Sequence, residues 1–202
     1  MPRQNSIVAT YLFAWNPKLW NWPELNRDRA RLARQGFIDI RWASGRVRQI
    51  EPGSRAFLVR LGVPPKGLFG DGYTLSAPRP GPHWRADKRA LGIPALYLRM
   101  RLNSLCDHPV VTFDELAEPP FKRYRWGVRQ SGAHVPSAIA DALEPLWERN
   151  VAALGASAAQ TPPHAASSAR AKHKPAAGAG KSAGRDAAKP RTAGAVKRGR
   201  AD

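Results

Sequence analysis

The chain has 202 residues and carries 33 Lys and Arg against 15 Asp and Glu, a net charge of +18. This imbalance indicates an acidic partner, with nucleic acid ahead of an anionic membrane surface. No apolar run approaches the roughly 18 residues of a membrane span, and the N-terminus lacks a signal-peptide core. Cys106 is the only cysteine, which excludes an intrachain disulfide. We expect a cytoplasmic protein that binds nucleic acid and no membrane.

The N-terminal half predicts extended segments around one helix. Pro23 at the start and Gly36 beyond the end mark residues 23–36 as a short helix. Strands are predicted on both sides of it, at residues 7–13, 39–42, 46–50, 55–62 and 67–75. The segments 39–42 and 46–50 flank a Ser-Gly turn.

The C-terminal half begins with the clearest strand, residues 95–105. Apolar side chains alternate there with tyrosine, arginine and asparagine, so one face is apolar and the other basic. We expect Arg99 and Arg101 to point outward beside a nucleic-acid track. Residues 135–154 space their apolar side chains at helical intervals, and Pro145 predicts a kink or two short helices that meet there.

Composition divides the chain near residue 154. All seven tryptophans lie at or before Trp147, and no aromatic residue follows Gly155. The segment 155–202 has too little apolar surface to offset the entropy of ordering, so we predict a disordered tail. Ten Lys and Arg against two Asp give this tail a charge of +8 and leave +10 on residues 1–154. The tail is either a nucleic-acid-binding arm or a solubilising linker.

Residues 1–154 are predicted to form an α+β domain. Short strands with Gly and Pro turns, plus peripheral helices, favour a small mixed barrel of five to six strands. No catalytic pattern accompanies it: the histidines are scattered, and a P-loop and a G-x-S-x-G elbow are absent. Asp71, or Asp114 with Glu115, could belong to a carboxylate pair, but no second partner is marked. We therefore expect no enzymatic activity, no metal and no cofactor.

The tryptophans recur beside arginines and small polar residues. An indole face stacks on a nucleobase with roughly 1–3 kcal/mol per base. Trp147 lies on the apolar face of the last predicted helix, so we assign it to the core. Trp42 differs, because Arg41, Ser44 and Arg46 surround it in a turn context that is typical of a site.

Three segments in chain order resemble the EVE domain. They are "YLFAWNPKLWNWPEL", "IRWASGRVRQIEPGSRAFLVRLGVPPKGLFGDGYTLSAPRPGPHW" and "YRWGVRQSGAHVP…LEPLW", within residues 7–150. The resemblance implies a PUA-like pseudo-barrel related to the YTH domains, which read methylated adenine. In such domains a pocket takes a flipped, modified base between aromatic side chains.

The resemblance also implies a set of binding residues. They are Trp15, Asn16, Trp42, Ser44, Arg46, Trp84, Trp126, Arg129 and Ser131. The indoles would stack on the base, the hydroxyls and turn amides would bind its edge, and the arginines would hold the flanking phosphates. Arg46 stands where the familiar form of the turn has asparagine.

The expected function is a non-catalytic reader of modified nucleic acid, with modified DNA ahead of RNA. Relatives of this kind are often fused to restriction modules, so the resemblance implies a restriction or other effector protein as a partner. We expect a monomer. Two alternatives stay open: a nucleoid-associated protein whose tail dominates binding, and an RNA-modification protein that holds structured RNA on its barrel.

Overall fold

The computed structural model describes residues 9–160, with side chains to residue 154. Its strands are β1 (Thr10–Trp15), β2 (Ile38–Ala43), β3 (Arg55–Arg60), β4 (Gly67–Thr74), β5 (Arg79–Pro82), β6 (Pro94–Leu105), β7 (Val111–Thr112) and β8 (Ala133–Val135). Its helices are α1 (Leu25–Gln35), α2 (Ala86–Ala90) and α3 (Ser137–Gln160), with 3-10 turns at Glu115–Ala117 and Phe121–Arg123. The fold is therefore of the mixed α+β class.

The strands form one sheet in the order β2-β6-β4-β3-β1-β8, while β5 pairs with β6 and β7 pairs with β4. The β1–β3 pair is parallel, and the other pairs are antiparallel. A parallel pair needs a crossover, and the connection from β1 to β3 includes α1 and β2. This crossover carries the chain from β1 to the far edge of the sheet, where β2 lies, and back to β3 beside β1.

The central strands are buried on both faces. Successive residues of β1, β3 and β4 belong to different apolar clusters: Leu12 and Phe13, Phe57 and Leu58, Leu68 and Phe69. Because neighbouring side chains of a strand point to opposite faces, the sheet separates two cores. Helix α3 supplies Trp147 to the first cluster, which confirms its predicted core position, and α1 packs Leu25 and Leu32 against the second.

Both long helices follow from local signals. Helix α1 ends at Gly36, whose φ of 75° is left-handed and whose N–H donates to the Leu32 carbonyl at 2.8 Å. Helix α3 runs unbroken from Ser137 to Gln160 with Pro145 inside it, so the prediction of two short helices is wrong. Pro145 and Asp141 are exposed, and water can therefore satisfy the carbonyl that the missing N–H leaves free.

Four predicted strands correspond to β2, β3, β4 and β6, and the described part of the predicted strand 7–13 corresponds to β1, Thr10–Trp15. Residues 46–50 form no strand, because the Ser44 hydroxyl donates to the Val47 carbonyl and holds a turn there. The sequence analysis missed β5, β7 and β8, which have only two to four residues. Segments that short show no periodicity, and pairing with longer strands holds them. The sheet thus has eight strands among the described residues, against five to six predicted.

Helix α3 extends six residues into the segment that was assigned to the tail. Residues 161–202 lie outside the described residues, as do the first residues of the predicted strand 7–13.

Candidate functional site

The segment after β1 folds back into a tight loop. The Asn16 carbonyl accepts the N–H groups of Leu19 at 2.9 Å and Trp20 at 3.1 Å, and its side-chain oxygen accepts that of Lys18 at 3.0 Å. A Cβ on Gly62, where φ is +83°, would collide with the Asn16 side chain. Glycine at position 62 therefore lets the loop dock on the end of β3.

This loop places Trp20 and Trp22 beside Trp15 of β1 and Trp42 of β2, and the four indoles form one cluster. The rings of Trp20 and Trp22 stack with centroids 5.7 Å apart, and the Trp42 ring lies 4.9 Å from Trp22 and 5.7 Å from Trp20. The Trp15 N–H donates to the Trp20 carbonyl at 3.0 Å, and the Trp22 N–H donates to Asp28 at 3.2 Å. The indole N–H of Trp42 has no hydrogen-bond partner among the described residues. Trp42 is only 6% exposed, so it belongs to the core, and it also lines a cavity.

The cavity has a volume of about 630 Å³, which is within the roughly 300–1,000 Å³ of small-molecule sites. Its aromatic side chains are Trp15, Trp20, Trp42, Trp84 and Tyr97. Its cationic side chains are Arg41, Arg46, Arg85, Lys88 and Arg129. Asp and Glu do not occur among the described residues that line it. The cavity therefore combines stacking surfaces with a positive potential.

Two turns meet at the back of the cavity. A Cβ on Gly45 would lie 2.7 Å from the Ser131 carbonyl oxygen, and a Cβ on Gly132 would lie 2.8 Å from that of Ser44. Both glycines have positive φ, so a side chain would be strained as well as obstructed. The Ser131 hydroxyl accepts the N–H of Ala14 at 3.0 Å. The turn after β2 is thus joined through the turn before β8 to strand β1.

The segment between β5 and β6 also lines the cavity. His83 is buried, and its Nδ1 accepts the N–H of Arg85 at 3.0 Å. Loss of solvation, with the nearby charges of Lys88 and Arg85, lowers the pKa of His83. The neutral ring therefore carries its proton on Nε2. Trp84 is 41% exposed, with its ring 5.6 Å from the ring of His83, and Trp20 is 40% exposed.

Seven of the nine residues predicted for binding line this cavity. They are Trp15, Asn16, Trp42, Arg46, Trp84, Arg129 and Ser131. The other two do not reach it. Ser44 is fully buried and its hydroxyl is bound to Val47, while Trp126 lies in the first core cluster and donates to the Phe121 carbonyl at 3.1 Å. Both side chains make their hydrogen bonds within the protein.

No family model and no curated protein sequence matches the chain. Among solved structures, protein PSPTO5229 from Pseudomonas syringae superposes with a TM-score of 0.51 at 16% identity, over 69% of this chain and 99% of that one. The two proteins share a fold. A Pseudomonas putida protein gives a TM-score of 0.45 at 18% identity, over 69% of this chain and 99% of its own. A hypothetical protein from Leishmania major gives 0.44 at 14% identity, over 70% and 96%.

Several lining residues were not predicted from the sequence. They are Trp20, His83, Arg85, Lys88 and Tyr97, while Arg41 was expected only as a flanking arginine of the Trp42 turn. Three of them lie in the segment "HWRADKR", whose signal is a histidine-tryptophan pair followed by clustered cations. Arg41 lies 3.6 Å over the ring of Tyr97, a contact that joins β2 to β6 and cannot be recognised within either strand.

The predicted track along β6 is wrong. Trp42 pairs with Leu98, and directly paired residues of neighbouring strands share a face. Arg99 and Arg101 follow at odd offsets from Leu98, so they point to the face opposite Trp42. Neither lines the cavity, although Arg41, which pairs with Arg99, and Tyr97 extend the lining to that face. Instead Arg101 binds Asp39 at 2.7 Å and Arg99 approaches it at 3.5 Å. The hydrogen bond from Arg101 lowers the pKa of Asp39.

Two of the three carboxylates that were considered for a paired site, Asp71 and Glu115, have structural partners. Asp71 binds Arg55, and Glu115 accepts the N–H of Thr112 at 2.7 Å and the amide of Asn150 at 2.8 Å. Within residues 9–160, no group of three or more His, Cys, Asp and Glu side chains could hold a metal ion. None of the helices in this range has the length and apolar composition needed to cross a membrane.

Proposed function

We propose that the chain is a non-catalytic reader of modified nucleic acid, which takes a flipped base into the cavity described above. The observation that carries this proposal is the convergence of Trp15, Trp42 and Trp84 with Arg46 and Arg129 around one space without carboxylates. Indole faces stack on bases regardless of sequence, and arginines bind the flanking phosphates. Extrusion of the base is needed because its ring is inaccessible inside a duplex.

We also propose that the fold is a PUA-like pseudo-barrel of the EVE type. The motifs occur in the expected order, and the contact between the turns at Ser44–Gly45 and Ser131–Gly132 brings the two edges of the sheet together. The same resemblance supports modified DNA as the substrate and a restriction or other effector protein as partner. We also propose a monomer in the cytoplasm, a location that the single cysteine favours. RNA is the competing substrate.

A binding screen tests this function. The full chain would be titrated against DNA and RNA oligonucleotides of one sequence that carry 5-methylcytosine, 5-hydroxymethylcytosine, N6-methyladenine or no modification. We expect one modified base to bind at least about 10-fold more tightly than its unmodified counterpart, since about 1.4 kcal/mol of extra stacking or hydrogen bonding suffices. Equal affinity for every oligonucleotide would reject a reader.

A nucleoid-associated function is the second candidate, because residues 161–202 hold ten Lys and Arg. Their deletion tests it, and the deletion should begin at residue 161 because α3 continues to Gln160. Each phosphate contact on duplex DNA contributes about −0.9 to the slope of log K against log salt. If about five of these cations contact phosphates, the deletion should flatten that slope by roughly 4 units.

The two candidates differ in what the shortened chain retains. A reader keeps its preference for the modified base after the deletion, although its overall affinity falls. A tail-driven binder loses nearly all affinity and shows no preference before or after. A salt slope that does not change would show that residues 161–202 contact no phosphates.

A further inference from the structure

The polar side chains around the cavity are almost all hydrogen-bond donors. Five of them are Arg or Lys, which donate only and accept nothing. Arg85 is also paired with Asp87 at 2.7 Å, whose carboxylate lies outside the lining. The other four cations have no carboxylate partner among the described residues. The cavity therefore presents a charge that a ligand can balance.

The neutral polar groups of the lining also offer mainly hydrogen-bond donors. The Trp42 N–H can only donate, and it has no partner among the described residues. The Nδ1 of His83 already accepts from the backbone, so the ring offers its Nε2–H. The side-chain oxygen of Asn16 accepts from Lys18, which leaves its amide N–H groups for a ligand.

Few side-chain acceptors are left. The hydroxyl of Ser131 is engaged with both the N–H and the carbonyl of Ala14, at 3.0 and 3.4 Å. The Tyr97 hydroxyl donates its proton to the Pro82 carbonyl at 2.7 Å, so its oxygen can only accept. Gln130 supplies an amide oxygen. A ligand rich in donors, or one with a positive charge, would find few partners here and several like charges.

We infer that the cavity takes a planar ring that carries an anionic oxygen group, such as the carboxyl group of 5-carboxylcytosine, in preference to a methylated or cationic base. This inference rests on the proposed function and names the substrate class of the same cavity. The ring would stack on the indoles, while the anion would receive charge-assisted hydrogen bonds from the arginines. A methyl group would gain apolar contact alone.

The same chemistry has two sources in nucleic acid, a substituent on the base or the phosphate of a terminal nucleotide. The test therefore uses single-stranded DNA of one sequence, so that no base pair has to open. Its central cytosine is unmodified, 5-methylated or 5-carboxylated, and a fourth strand is unmodified but has a 5′-phosphate. Fluorescence polarisation with the full chain measures each dissociation constant.

We expect an anionic strand to bind at least about 10-fold more tightly than the methylated strand, because a hydrogen bond to a charged group is stronger than a neutral one and than an apolar methyl contact. A gain for the carboxylated strand or for the phosphorylated strand supports the inference and identifies the source of the anion. A gain for neither overturns it.

Three charge-removing variants separate a local contact from the general charge of the protein. Arg46→Gln and Arg129→Gln each remove one charge from the cavity lining, and Arg99→Gln removes one from outside the lining. We expect at least one lining variant to narrow the difference between carboxylated and methylated strands several-fold, while Arg99→Gln leaves it unchanged. An equal effect in all three variants would overturn the inference.

The result also separates this inference from the function on which it rests. If the methylated strand binds as tightly as the anionic strands and all bind better than the unmodified one, the anionic class is rejected and the reader stands. If all four strands bind alike and Trp42→Ala changes none of them, the reader itself is rejected.

Discussion

Replacing Trp42 by alanine is expected to weaken binding of the preferred modified oligonucleotide by about 5- to 150-fold, because it removes a stacking surface worth roughly 1–3 kcal/mol. The loss should fall mainly on the modified substrate, since the arginines of the lining still hold the phosphates. The variant should also lose about 3–5 kcal/mol of unfolding free energy, because Trp42 is only 6% exposed and packs on Trp22. Urea denaturation and fluorescence polarisation measure the two effects on one sample.

Trp22 provides the matched control. It is as buried as Trp42 and lies in the same cluster, but it does not line the cavity. Trp22→Ala should cost at least as much stability, since it also leaves the buried Asp28 without its indole donor. Its folded fraction should bind with unchanged selectivity. Parallel losses of affinity for every ligand in both variants would show that Trp42 contributes only to folding.

Trp42 shows how far the sequence determines the site. The turn residues after it and the arginines around it predicted a place at a site, and the ring does line the cavity. Its burial could not be predicted, because Trp20 and Trp22 cover it from a loop far away in the sequence. The same limit applies to Ser44, since a hydroxyl in a Ser-Gly turn fits a ligand contact and a turn hydrogen bond equally well.

The arginines of β6 illustrate a second limit. Alternation within residues 95–105 correctly predicted that Arg99 and Arg101 share a polar face. Which face of β2 lies beside them depends on the register between the two strands, and a shift of one residue would reverse it. Neither strand contains that information alone. The pairing of Trp42 with Leu98 decides it, and neither arginine lines the cavity, although Arg41, which pairs with Arg99, does.

Helix α3 is joined to the sheet by one guanidinium group. Arg55 on β3 donates to both carboxylate oxygens of Glu144 on α3, at 2.7 and 2.9 Å. It also donates to Asp71 on β4 at 2.6 Å and to the Gly72 carbonyl at 3.1 Å. Asp71 is only 5% exposed. This network lies apart from the cavity, whose lining contains none of these residues.

Arg55→Met is expected to lower the free energy of unfolding by about 3 kcal/mol, since it leaves the buried Asp71 without its partner, whereas Glu144 is 35% exposed and screened by water. The midpoint of urea denaturation should fall while its slope stays constant. Arg99→Met is the control, because its contact with Asp39 is long and exposed and should contribute no more than about 1 kcal/mol. The folded fraction of both variants should keep its preference for the modified base.

A second variant distinguishes the charge network from the apolar packing of α3. In Arg55→Met combined with Asp71→Asn and Glu144→Gln, no buried charge is left without a partner, so most of the lost stability should return. If Arg55→Met alone costs less than about 1 kcal/mol, the network is dispensable, and Leu143, Leu146 and Trp147 hold α3 by apolar contact. If the triple variant is as unstable as the single one, the loss comes from the aliphatic stem of Arg55 and its position over the Phe57 ring, 4.5 Å away.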